Sequence, residues 1–142
     1  DRRQRQMCIR DSYIADPRYK LELYRRFAGL DYGEKDDLLD EIIDRFGEPP
    51  EEVEVLWRVA CLRALCRLLH IRGISVKPGE LRITFAENAA IDPTALMKLI
   101  SEQQQYMNFK SGVQAQLIFR TVKLKTDSLT WLEKNLPRLA FD

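Results

Sequence analysis

Apolar residues fall at helical intervals up to Leu69, then change to alternation. Leu21, Tyr24, Phe27 and Ala28 follow Asp16-Pro17. Aspartate can cap a helix and proline suits its first turn, so a helix begins there. Gly29 and Asp31-Tyr32-Gly33 end it. A second helix is predicted over about 34–46, with Leu39, Ile42, Ile43 and Phe46 inward. Gly47 suits the position past its end, and Pro49-Pro50 forbids continuation. A third runs from Pro50 to about Leu69, acidic at its start (Glu51, Glu52, Glu54) and basic near its end (Arg63, Arg67), in line with the helix dipole. It is apolar nearly all round, which predicts a central position.

Beyond it the period becomes two. Ile74 and Val76 alternate with Ser75 and Lys77, Pro78-Gly79 has type II turn chemistry, and Leu81, Ile83 and Phe85 alternate with Arg82 and Thr84. This predicts a hairpin. Asp92-Pro93 opens a fourth helix to about Gln103, with Leu96, Leu99 and Ile100 inward. Tyr106–Lys110 and Ala115–Val122 read as a second strand pair around Ser111-Gly112. Thr126-Asp127 starts a last helix carrying Leu129, Trp131, Leu132 and Leu136, stopped by Pro137. The expected class is α+β: about five helices packed on two short hairpins that form one small antiparallel or mixed sheet, as a single domain. Periodicity leaves the strand order open.

Length and composition fit this picture. The chain has 142 residues, 45% hydrophobic and 32% charged, as expected of one globular domain with its own core. No apolar run approaches the ~20 residues of a membrane span, so no membrane partner is expected. Residues 1–12 read differently. Met7 to Ser12 is Met-Cys-Ile-Arg-Asp-Ser, preceded by Arg-Arg-Gln-Arg-Gln. This resembles the in-frame translation of a common sequencing-adapter oligonucleotide, so 1–12 is taken as non-native and 13–142 as the domain. Setting aside its four Arg and two Asp turns 23 basic and 22 acidic residues into 19 and 20, a net of −1. The formal +1 of the whole chain therefore gives no general pull toward nucleic acid. Cys8 drops out too. Cys61 and Cys66, five apart, point about 140° apart on the third helix and share neither a disulfide nor a metal. That usage suits a reducing cytoplasm.

Candidate chemistry centres on the second helix. Asp37, Glu41, Asp44 and Glu48 are spaced four, three and four apart, which makes one acidic stripe flanked by Glu34 and Asp40. Locally only Lys35 and Arg45 oppose it. It is either a solvated face or a docking surface for a basic partner. His70 reads as a helix-end residue, because no serine or cysteine motif accompanies it. Asp127 and Glu133 have no spacing that makes them a catalytic pair. Arg120, Lys123 and Lys125 form one small basic patch, and Arg18, Arg25 and Arg26 another. With net charge near zero, both read as solvated surface rather than phosphate contacts. Trp57 and Trp131 lie on apolar faces and read as core.

Several segments together resemble the C-terminal domain of the bacterial transcription-repair coupling factors, the Mfd family. Tyr13-Ile14-Ala15-Asp16-Pro17-Arg18 with Leu21, Tyr24 and Arg26 is similar to its first helix. Asp40-Glu41-Ile42-Ile43-Asp44-Arg45-Phe46-Gly47-Glu48-Pro49-Pro50 is its most recognisable run. Leu62-Arg63 and Leu69-His70-Ile71 resemble the end of its long helix, and Ile83-Thr84-Phe85-Ala86 its hairpin return. The resemblance spans essentially everything after residue 12.

It implies a role in transcription-coupled nucleotide excision repair. Such factors are ATP-driven DNA translocases that displace RNA polymerase stalled at DNA damage and recruit UvrA. The terminal domain folds back on a UvrB-like module of the same polypeptide and masks its UvrA-binding surface. In the family, the Glu and Asp matching Glu41 and Asp44 face basic side chains of that module; Asp37, Glu48 and Arg45 extend the expected contact set. No G-x-x-x-x-G-K-[ST] loop occurs here. ATP and magnesium thus belong to the motor of the parent, and no cofactor, metal or catalytic residue is expected in this chain. An accessory nucleic-acid-binding domain of a repair helicase is the rival reading, and a small enzyme a third.

Overall fold

The computed structural model describes residues 9–122, 124 and 126–141. These form five α-helices and one four-stranded antiparallel sheet, which bears out the α+β class. Two compact units divide between Ala64 and Leu65.

The first unit is helical. α1 (Pro17–Ala28) starts where Asp16 accepts a hydrogen bond from the Arg18 amide at 2.9 Å. Its inward residues are Leu23 and Phe27, continued by Leu30. Leu21, expected inward, is instead 50% exposed. Leu21-Tyr24-Ala28 and Leu23-Phe27-Leu30 are both helical series, and the second buries more apolar surface. A 3₁₀ turn (Tyr32–Glu34) leads into α2 (Lys35–Phe46). There Leu38 and Ile42 are buried, while Leu39 is only half-buried. Gly47 ends α2 at φ 86°, a backbone that side chains rarely adopt. α3 (Glu51–Leu69) begins in this unit, and its Trp57 donates from Nε1 to the Lys35 carbonyl at 2.8 Å. That bond pins the start of α2. Expected to be buried nearly all round, α3 leaves Val55 and Leu68 exposed, since its neighbours cover only part of its circumference.

Residues just before α1 complete this core. Ile9 is 1% exposed and Ile14 is also buried. The Ile9 amide donates to the Tyr24 hydroxyl at 2.7 Å, and Arg10 pairs with Glu52 at 2.7 Å. Residues 9–12, set aside in the sequence reading, thus hold defined places against α1 and α3.

The second unit contains the sheet. β1 (Ile71–Lys77) and β2 (Glu80–Phe85) form the first hairpin, turning at Gly79 with φ 80°. β3 (Met107–Lys110) and β4 (Gln116–Arg120) form the second. β2 joins β4, giving the order β1-β2-β4-β3. Leu81 faces Phe119 and Ile83 faces Leu117 across that join, all four buried. α4 (Pro93–Glu102) is capped by Asp92, and α5 (Ser128–Asn135) by Asp127, which accepts from the Thr130 amide at 2.7 Å. Trp131 of α5 stacks on Phe119, ring centres 4.7 Å apart, so this side of the sheet is closed. Pro137 does not stop the chain's coiling outright. α5 tightens into a 3₁₀ turn (Leu136–Leu139), which buries Leu136 and Leu139. Proline at its second position needs no amide donor there.

Candidate docking site

The acidic band of α2 follows from the face the helix buries. Leu38 and Ile42 point inward, so Asp37 and Asp44 reach solvent. Glu48, expected at the end of the same helical stripe, lies beyond Gly47, where the backbone has left the helix, and is exposed there. Among the described residues these three carboxylates make no ion pair. Glu41 differs: it is 40% exposed and paired with Arg26 of α1 and, at 3.7 Å, with Arg45. Arg45 is itself shared. Its guanidinium lies 5.4 Å from the Tyr19 ring centre and 5.0 Å from that of Phe46, with Glu22 at 3.6 Å. A planar cation over two rings is held in one orientation.

A groove of about 250 Å³ runs between α1 and α2. Arg25 and Arg26 line one side, and Glu34, Asp37 and Glu41 the other. Tyr13 closes the far end of the stripe by donating to the Gly47 carbonyl at 2.7 Å. Burial first, then the negative charge of Glu48, raises its phenol pKa above the ordinary value. The constellation offers fixed negative charge beside an aromatic-arginine cluster, and no nucleophile with a base beside it. Among the described residues, no group of three His, Cys, Asp or Glu side chains is placed to hold a metal. No described helix is long and apolar enough to cross a membrane.

Comparison with known proteins fixes the family. The TRCF domain model matches residues 4–96. The chain belongs to the TRCF domain family. The transcription-repair-coupling factor of Bacillus subtilis (strain 168) is 37% identical over 94 residues, covering 64% of this chain and 8% of that protein. Its Myxococcus xanthus counterpart is 32% identical over 97 residues, 68% of this chain and 8% of that protein. That of Escherichia coli (strain K12) is 28% identical over 130 residues, 91% and 11% respectively. The chain therefore spans about a tenth of the length of the curated relatives it matches. Its fold is similar to a crystal structure of the C-terminal domain of transcription-repair coupling factor, with TM-score 0.74 and 24% identity over 92% of this chain and 83% of that one.

Within this TRCF domain, sequence reasoning missed the part α1 plays. Arg18, Arg25 and Arg26, one basic patch by spacing, separate in the structure. Arg18 pairs with Asp16 at 3.0 Å, Arg26 reaches Glu41, and Arg25 borders the groove. No local spacing links Arg26 or Glu22 to α2; only the packing of the helices brings them there. Of the other patch, Arg120 is exposed, while Lys123 and Lys125 lie outside the described residues. His70 sits at the end of α3 at φ 56°, its Nδ1 2.9 Å from the Asn88 carbonyl oxygen. That contact is a hydrogen bond when Nδ1 carries the proton. Asp127 is spent on capping α5.

Proposed function

We propose that this TRCF domain is a non-catalytic regulatory module of a transcription-repair coupling factor. Its α2 stripe docks on the basic UvrB-like module of the same polypeptide and masks UvrA binding. Release follows when the ATP-dependent DNA translocase engages RNA polymerase stalled at DNA damage. The setting is the bacterial cytoplasm. ATP and magnesium serve the motor of the parent, and DNA is reached through that motor. The observation that carries the reading is the exposure of Asp37, Asp44 and Glu48 without internal counterions. Asp37 and Asp44 on the helix, and Glu48 just past its end, are free to meet cations elsewhere. Glu41 and Arg45 are presented already oriented, which lowers the entropy cost of docking.

A weak lock suffices. Exposed ion pairs contribute ~0–1 kcal/mol each. Interfaces within one chain bury roughly 600–1,500 Å². Tethering supplies an effective concentration near ~1 mM, so micromolar intrinsic affinity closes the lock about a thousandfold, or ~4 kcal/mol. The test is Glu41→Ala with Asp44→Ala in the full-length factor. UvrA affinity should rise at least tenfold, measured by surface plasmon resonance, while thermal unfolding of the isolated domain barely shifts. Unchanged UvrA affinity refutes the docking role.

A further inference from the structure

The outward face of the sheet is a second candidate surface, chemically opposite to the α2 stripe. Residues alternate along β2, β3 and β4, and along β1 beyond its break in register at Ile71–Gly73, so one face is buried under α4 and α5 and the other meets solvent. On the open face Lys77 lies opposite Glu80, and Glu80 opposite Arg120. One pleat further along is Arg82, and at the next, on the far strand, Lys110. Lys77, Lys110 and Arg120 are exposed.

Four cations and one acid give this face a net of +3, against +1 for the whole chain. Strand spacing and rise put Lys77 and Arg120 about 8 Å from Arg82, and Lys110 about 12 Å from it. Those separations are about one to one and a half Debye lengths at physiological salt, so the cations are largely screened from one another and each can meet its own phosphate. The centre is ordered. Arg82 donates to Gln116 at 3.2 Å and to Glu80 at 3.3 Å, and Gln116 donates to Thr84 at 3.3 Å. Arg120 gives one N–H to the Gln105 carbonyl at 3.0 Å and keeps further donors for a ligand.

We infer that this face docks the phosphate backbone of double-stranded nucleic acid, without sequence preference. The chemistry selects that occupant over others. A protein partner needs buried aromatic or aliphatic anchors, and the only apolar side chain on this face is Ile118, half-buried in the middle. Single strands are held by stacking on several aromatic side chains, and the four strands place none on this face. A single ring, Tyr106, sits beside it just before β3, where its carbonyl accepts from the Arg120 amide at 2.7 Å. What remains is a flat array of cations and neutral hydrogen-bonding groups, which suits a dense row of phosphates.

The experiment is fluorescence anisotropy of a labelled 20-base-pair DNA duplex with the 142-residue chain, from about 20 to 150 mM salt. Four phosphate contacts predict a log K against log salt slope of about −3.6. K77E with K110E should weaken binding at least tenfold at 50 mM salt and flatten the slope to about −1.8, with an unchanged circular-dichroism spectrum. The four arginines of residues 1–12 are common to both proteins, so the difference isolates the sheet. A single strand of equal length and polyglutamate should bind more weakly than the duplex. Absence of binding at 20 mM salt, tighter binding to either competitor, or a slope that the double substitution leaves alone overturns the assignment.

Discussion

Replacing Ile9 with alanine tests whether the segment ahead of α1 is part of the folded core. Its side chain is 1% exposed among Leu23, Phe27 and other apolar residues of the first unit. Cutting a fully buried isoleucine back to alanine removes its transfer free energy and leaves a cavity, at a cost of about 2–5 kcal/mol. For a domain of this size each kcal/mol shifts Tm by about 3 °C, so a drop of roughly 6–15 °C is expected. The backbone contact can be tested separately. Tyr24→Phe takes away the hydroxyl that accepts from the Ile9 amide, leaving a partly buried N–H unmet, at about 1–3 kcal/mol. The two changes touch the same residue from opposite ends and should couple in a double-mutant cycle. Thermal unfolding followed by far-UV circular dichroism gives all three numbers. An Ile9→Ala protein melting within 1 °C of the parent would show that the core forms without the segment, as a translated adapter would allow.

Two predictions concern protonation. Burial pushes the Cys66 thiol up to about 11, with nearby Arg67 opposing, so at pH 8 its alkylation by iodoacetamide should be about 100-fold slower than in the urea-unfolded chain. Because the unfolded thiol ionises first, this group withdraws stability as pH climbs from about 9 to 11; a folded-state alkylation midpoint near 9 refutes it. Glu102 is held below the ordinary carboxylate range chiefly by its hydrogen bond with Arg138, 2.8 Å away. The stability this provides is present above the unfolded carboxylate's pKa and fades as pH falls through the depressed folded value. Arg138→Gln should return the Glu102 titration, followed by carbon NMR, to the ordinary range, and an unmoved midpoint would remove the cause assigned.

Much of the fold was legible because its signals are local. Asp16-Pro17, Asp92-Pro93 and Asp127 mark helix starts through bonds to amides two or three residues on. Gly79 announces a tight turn by being glycine. The join of β2 to β4 had no such marker, since Leu81 and Phe119 meet across 38 residues of chain that leave no trace of their pairing. Helical phase failed where leucines occupy two faces at once, as at Leu21 against Leu23 and Leu39 against Leu38. The acidic stripe was visible from spacing alone. Its internal counterion Arg26 was not, because pairs between helices depend on packing that periodicity does not encode.

The sheet order leaves β1 and β3 each bonded on one side only. Open edges of this kind invite copies of a chain to add strand upon strand into aggregates. β1 carries three deterrents along its seven residues: a break in register between Ile71 and Gly73, and the charges of Arg72 and Lys77. On the other edge β3 is only four residues long and ends in Lys110. The lysines that make the outer face attractive to polyanions are thus the same ones that keep the sheet from growing into a fibre.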